Sequence, residues 1–209
     1  YFGMQTKNMK LGQLGNVLPS KNPINVAEDI AMASQMLQGR VFAGFARGYQ
    51  PRWVNVLGQQ IGLASPAAGE DYEELKRSLF EEHFDIILKA WKNDTFAFKG
   101  KHWQIPTPDI KWAAEDVARE YGQGCDDEGY IQEIGIAPPT YNKEIPDLFM
   151  PFATSERSIK WGMSRGIVPV TIMTHYDVVR EHFRAGMEAA NEAGLDYKFG
   201  QGMALSREV

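Results

Sequence analysis

The sequence predicts an α/β protein in which short strands alternate with helices, and three observations carry that expectation. Apolar runs of strand length recur at Met9–Leu18, Val41–Ala46, Leu148–Ala153, Ile167–Ile172 and Phe199–Leu205. Segments with apolar residues at helical spacing separate them, as β/α units require. Arginine, serine and glycine gather just past two of the strands, where β/α folds bind ligands. A closed β/α barrel needs eight strands, whereas a doubly wound sheet tolerates five, so pattern alone leaves both open.

A chain of 209 residues can bury a sizeable core. A net charge of −5 with no basic block gives no support for nucleic-acid or anionic-membrane binding. There is no apolar run of membrane-spanning length and no signal-peptide pattern at the start, although the chain opens at Tyr1-Phe2-Gly3 without a methionine. The single cysteine, Cys125, excludes an intramolecular disulfide and fits a reducing compartment, so a cytoplasmic protein is expected. Cys125 sits in a polar Gly-Cys-Asp-Asp-Glu-Gly loop with no histidine nearby, which speaks against catalysis by its thiol.

Taken in order, Met9–Leu18 is closed by Pro19 and a Ser-Lys-Asn-Pro turn. Asn25 stands where a helix N-cap would, with Glu28 three residues on, and Val26, Ile30, Ala33 and Leu37 give that helix one apolar face ending at Gly39. The Val41–Ala46 strand follows at once. Tyr49–Gly69 reads as a loop above a strand end, a common place for substrate contacts. The longest helix, about Asp71–Asn93, buries Leu75, Leu79, Ile86, Ala90 and Trp91 and carries glutamates in its N-terminal half. His83 falls on its stripe and reads as a core histidine. Phe96–Ile105 alternates around Lys99-Gly100 as a hairpin, with His102 packing across strands. Asp109–Tyr141 is irregular, with a short helix at Ala113–Tyr121, and reads as an insertion within a single domain. Helices carrying Ile159, Trp161 and Met163, and then Val178, Val179, Phe183, Met187 and Ala190, follow the next two strands and stop at Gly166 and Gly194.

Two clusters stand out chemically. Arg47 ends a buried strand, where a guanidinium needs an anionic partner. Gly48 beside it permits close approach or a positive φ. Arg77, early in the long helix, points to the same anion. The alternative for both arginines is ion pairing with carboxylates such as Glu81 and Glu82. In the second cluster, Thr154-Ser155-Glu156-Arg157-Ser158 opens a helix whose free N–H groups and hydroxyls suit an anion, or simple capping by Thr154 or Ser155.

The blocks Asn16-Val17-Leu18-Pro19, Asn22-Pro23, Ala27-Glu28-Asp29, Gln35-Met36, Gly39-Arg40 and Gly44-Phe45-Ala46-Arg47-Gly48 resemble the bacterial luciferase-like flavin monooxygenases in both residues and spacing. The likeness resumes at Arg77–Glu81, at Lys99-Gly100-Lys101-His102, and from Thr154 to Gly166, and omits Asp109–Tyr141. The resemblance implies a (β/α)8 TIM barrel of which this sequence covers strands about three to seven, as one partial domain with an insertion at about 95–146. It implies binding of reduced FMN and use of O2 to form a flavin hydroperoxide that oxygenates a small organic substrate. A separate flavin reductase would supply the reduced FMN, and the family is commonly dimeric.

Carried over residue by residue, Arg47, Arg77, Ser155 and Ser158 would hold the FMN phosphate. Leu14-Gly15, a dipeptide often joined by a cis bond in the family, would lie against the isoalloxazine, with Tyr49 by the ring. Thr154 sits where luciferases carry a glutamate. Ala46 replaces their reactive cysteine, so light emission is not implied. Their catalytic histidine belongs to a strand that would precede Tyr1, so no catalyst is assigned; no metal is expected. Gln50–Gly69 and the insertion would shape the substrate pocket. The alternatives are an F420-dependent oxidoreductase of the same superfamily, a flavin-binding protein without turnover, and a cofactor-free β/α module.

Overall fold

The computed structural model describes residues 1–48, 50, 52, 56–58 and 70–206, with the backbone alone at 70, 71, 115 and 119. In chain order the elements are α1 (Phe2–Gln5), β1 (Leu11–Val17), α2 (Pro23–Met36), β2 (Val41–Ala46), α3 (Glu70–Lys92), β3 (Phe98–Lys99) and β4 (Gln104–Ile105). They continue with α4 (Glu115–Tyr121), β5 (Asp147–Pro151), α5 (Glu156–Met163), β6 (Val168–Thr171), α6 (Tyr176–Glu192) and β7 (Ala204–Leu205). The chain divides into two compact units, one of residues 8–16, 41–46 and 146–209, the other of residues 1–7, 17–40 and 47–145.

The first unit is built on a five-stranded sheet of order β1-β2-β5-β6-β7, with only Val17 at the end of β1 falling outside it. β2 pairs with β5, β5 with β6 and β6 with β7, all parallel, in a register that sets Gly44 beside Phe149 and Val170 beside Ala204. The sheet is open among the described residues, with β1 and β7 at its edges. Val41, Ala43 and Phe45 are buried, as a parallel strand covered on its faces requires. β1 and β2 come unusually close at two glycines. A Cβ on Gly12 would collide with the Phe42 carbonyl, and one on Gly44 with the Leu14 carbonyl.

Helices α5 and α6 pack on one another. The inner face of α6 is His182, Ala185, Gly186 and Ala190, whereas Val178, Val179, Phe183 and Met187, expected to face inward, are only half-buried. The helix is rotated because contact with α5 selects small residues. A Cβ on Gly186 would meet Met163 Sδ, and Ile159 lies 3.0 Å from the same point. The last strand is shorter than the expected Phe199–Leu205, because Gly200 and Gly202 take φ of 93° and 71°, outside extended backbone.

The second unit is organised on α2 and α3. Asn22, not Asn25, caps α2: its side chain accepts from the Ile24 N–H at 2.8 Å, and Pro23 supplies a first helical position with no N–H to satisfy. Gly39, at φ 81°, follows the helix end as expected. α3 is buried around most of its middle, through Leu79, Phe80, Phe84, Ile86, Ile87, Ala90 and Trp91. Trp91 Nε1–H donates to the Ala27 carbonyl on α2 at 3.0 Å.

β3 and β4 form the hairpin, pairing Phe98 with Ile105 and Lys99 with Gln104. Its turn is Gly100–Trp103, closed by Gly100 N–H to Trp103 O at 2.8 Å, so His102 lies in the turn rather than across strands. The irregular segment that follows contains α4 and is fastened to α2 by Gln35 Nε2–H to Pro139 O at 2.8 Å and Tyr141 N–H to Ser34 Oγ at 3.2 Å. Among the described residues, no helix is long and apolar enough to cross a membrane.

Candidate functional site

β2 ends at Ala46, and the chain turns out of it through Arg47 and Gly48, whose φ of 77° is the left-handed backbone that only glycine adopts freely. Arg47 has 28 % of its side chain exposed, and its Nη1 lies 3.9 Å from Glu73 Oε2 on α3. That is longer than a hydrogen bond, so the pair is coulombic. The other oxygen of Glu73 is in direct contact with Lys76 Nζ, one turn along α3. Lys76 is buried and its ammonium sits 5.1 Å from the centre of the Tyr72 ring. Burial and the adjacent Glu73 push the Tyr72 hydroxyl above its ordinary value. Arg77 is nearly buried, with 12 % of its side chain exposed and Nε 3.7 Å from Glu74 Oε1, again beyond hydrogen-bond length. Both arginines do face carboxylates, as the ion-pair alternative required. The partners are Glu73 and Glu74, both more than half exposed, rather than Glu81 and Glu82.

In the sheet unit, Ser155 caps α5. Its Oγ accepts from the Ser158 N–H at 3.3 Å and donates to Ser158 Oγ at 2.9 Å. Capping therefore holds in this structure, and it joins the two serines expected to act together. Ser158 is buried and Thr154, before the cap, is exposed. Lys160 bonds to Glu156 in the first turn and holds its carboxyl below the usual value.

Leu14 and Gly15 lie on β1. Leu14 is 41 % exposed and its carbonyl meets Gly44, while the Leu14–Gly15 peptide is trans, unlike the cis bond frequent in the resembling family. Tyr49 and most of Gln50–Gly69 lie outside the described residues.

Sequence reasoning missed how the middle of α3 uses its polar residues. The buried Glu82 carboxylate accepts from the N–H groups of Lys101, His102 and Trp103, at 2.9, 2.9 and 2.7 Å, and so pins the hairpin turn. Ser78 Oγ shares a 2.7 Å hydrogen bond with His102 Nε2, and burial lowers the His102 pKa. His83 is fully buried, as expected of a core histidine. Nδ1 lies 2.9 Å from the Leu18 carbonyl and Nε2 accepts from Trp103 Nε1–H at 2.7 Å. Those partners fix a neutral ring with its proton on Nδ1, and burial lowers its pKa to about 4. The glutamate heading three consecutive turn N–H groups has no periodic signal in sequence. His83 was visible because it falls on an apolar stripe. Among the described residues, no cluster of His, Cys, Asp or Glu could hold a metal ion.

Parallel strands joined by helices, with cations at one strand end and a serine-capped helix after another, describe a β/α enzyme-type scaffold. The family model for luciferase-like monooxygenases matches residues 1–206, and the chain belongs to that family. It is 27 % identical over 193 residues to the 3,6-diketocamphane 1,6-monooxygenase of Pseudomonas putida, covering 91 % of this chain and 48 % of the relative. In three dimensions it is similar to the oxygenating constituent of 3,6-diketocamphane monooxygenase from Pseudomonas putida, a type II Baeyer-Villiger monooxygenase solved in complex with FMN. The TM-score is 0.69 at 24 % identity, over 98 % of this chain and 49 % of that one. An F420-dependent secondary alcohol dehydrogenase in complex with an F420-acetone adduct aligns with a TM-score of 0.66 at 15 % identity, over 97 % of this chain and 50 % of that one. At these identities the structural likenesses establish the fold, the luciferase-like barrel type. The chain spans about half the length of the relatives it matches.

Proposed function

We propose that the whole protein is an FMN-dependent monooxygenase that uses reduced FMN and O2 to oxygenate a small organic substrate. The observation that carries this reading is the family match running through residues 1–206, which includes each residue of the anion-binding set. The donor chemistry supports it. Arg47 and Arg77 face their carboxylates at 3.9 and 3.7 Å, and guanidinia held at such lengths can exchange those partners for the shorter, charge-assisted bonds of a phosphate monoester. Ser155 and Ser158 offer hydroxyls at a helix start.

In this proposal Arg47, Arg77, Ser155 and Ser158 hold the phosphate, Gly48 leaves room for it, and Thr154 belongs to the same cofactor site at the position where luciferases carry a glutamate. Leu14, Gly15 and Tyr49 adjoin the ring system. When bound, reduced FMN supplies the two electrons with which one oxygen atom of O2 enters the substrate and the other leaves as water. The protein's part is to bind, orient and exclude water. The single-domain organisation with an insertion at about 95–146, the substrate-shaping role of that insertion and of residues 50–69, the reductase partner, a homodimer and a cytoplasmic setting belong to the same proposal.

An F420-dependent oxidoreductase is the second reading, favoured by the likeness to the alcohol dehydrogenase fold. Anaerobic titration of reduced FMN and of reduced F420 into the whole protein separates them. Saturable FMN binding with none of F420 is expected, and the reverse would replace the proposal. Oxygen uptake no faster than that of free reduced flavin would leave a binding protein without turnover.

A further inference from the structure

The ion pairs at the start of α3 are unevenly built, and the unevenness concerns which partner can move. Lys76 has 7 % of its side chain exposed and Glu73, its counter-ion, 55 %. A buried ammonium must keep an anion beside it, whereas an exposed carboxylate can swing into water at small cost. Glu73 also divides its charge, touching Lys76 with one oxygen and standing 3.9 Å from Arg47 with the other. Arg77 follows Glu73 by four residues and so emerges on the same side of the helix. Arg47 and Lys76 thus share the exposed carboxylate of Glu73, and Arg77 faces that of Glu74.

We propose that Lys76 is a third cation of the phosphate site and that Glu73 is its exchangeable counter-ion, holding Arg47 and Lys76 in place until a phosphate monoester displaces it. This rests on the reading of Arg47 and Arg77 as phosphate ligands and adds two residues that the family likeness did not assign. Displacing Glu73 exchanges the single negative charge beside Arg47 and Lys76 for the two of a phosphate dianion. A neutral flavin without phosphate has nothing to displace Glu73 with, so the exchange selects for the phosphorylated cofactor.

The test is calorimetric titration of FMN and of riboflavin, both oxidised, into the whole protein and its E73Q and K76M variants. Riboflavin binding, which needs no phosphate contact, reports whether each variant retains a folded flavin site. Relative to wild type, E73Q is expected to bind FMN about fivefold more tightly and K76M about tenfold more weakly, with riboflavin affinity unchanged in both. FMN affinity unaltered in E73Q and K76M, in a wild type that still prefers FMN to riboflavin, overturns this inference alone. A wild type with no preference for FMN over riboflavin overturns the phosphate reading and this inference together.

Discussion

The two halves of α3 put similar polar residues to opposite uses. In the middle of the helix, Glu82 and His83 are buried and their polar atoms are matched at hydrogen-bond length by the hairpin turn, Trp103 and Leu18. At its start, Arg47, Lys76 and Arg77 meet carboxylates that are more than half exposed, and both arginine pairs are longer than hydrogen bonds. A buried polar group with every partner in place fixes structure. A cation whose partner is exposed and loosely held is set up for exchange. On one helix, therefore, the quality of the partners separates scaffold from the proposed phosphate site better than residue type does.

The comparison is most easily broken at Glu82. Replacing it by Ala leaves three consecutive turn N–H groups without their acceptor, and urea denaturation should show a loss of about 3–5 kcal/mol. A loss below about 1 kcal/mol would mean that the turn does not depend on it.

His83 gives the next effect, through pH. Its folded-state pKa of about 4 lies below the ordinary 6.5, so the unfolded chain takes up the extra proton between those values. The contribution of this group is full above pH 6.5 and is lost as pH falls toward 4, on the order of 3 kcal/mol in total. Stability measured by urea across that range should carry this slope, and His83→Gln should remove it.

Ser78→Ala deletes only the bond to His102 and should cost about 1 kcal/mol. Glu73→Gln, at the exchangeable end, should change stability by less than about 0.5 kcal/mol, since Glu73 is itself more than half exposed and the amide oxygen can still accept from the Lys76 ammonium. A thermal shift as large as that of Ser78→Ala would place Glu73 with the scaffold.

Much of this was legible in sequence because it rests on local physics. The Val41–Ala46 strand, the long helix and the stops at Gly39, Gly166 and Gly194 follow from periodicity and positive φ. Arg47 was legible because a charge at the end of an apolar strand needs an explanation. What stayed hidden depends on tertiary approach. Glu82 finds its partners in a turn some twenty residues away, and nothing in the sequence around Lys76 signals that it is buried. α6 misled in a different way. Phe183 and Met187 are the larger apolar residues, yet contact with α5 favours Gly186 and Ala185, because two helices approach closely only where side chains are small. The packing reason for Gly12 and Gly44 became explicable only once β1 and β2 were seen to meet there.

The central claim is that the cations at the start of α3 and the end of β2 recognise a phosphate. It is tested most directly by the ratio of riboflavin to FMN dissociation constants in wild type and in Arg47→Ala. A large preference for FMN in wild type, reduced by about 2–4 kcal/mol in the variant while riboflavin binds as before, is the predicted result. Equal loss of both ligands, or an unchanged preference, would contradict it and return Arg47 to the role of an ordinary ion pair.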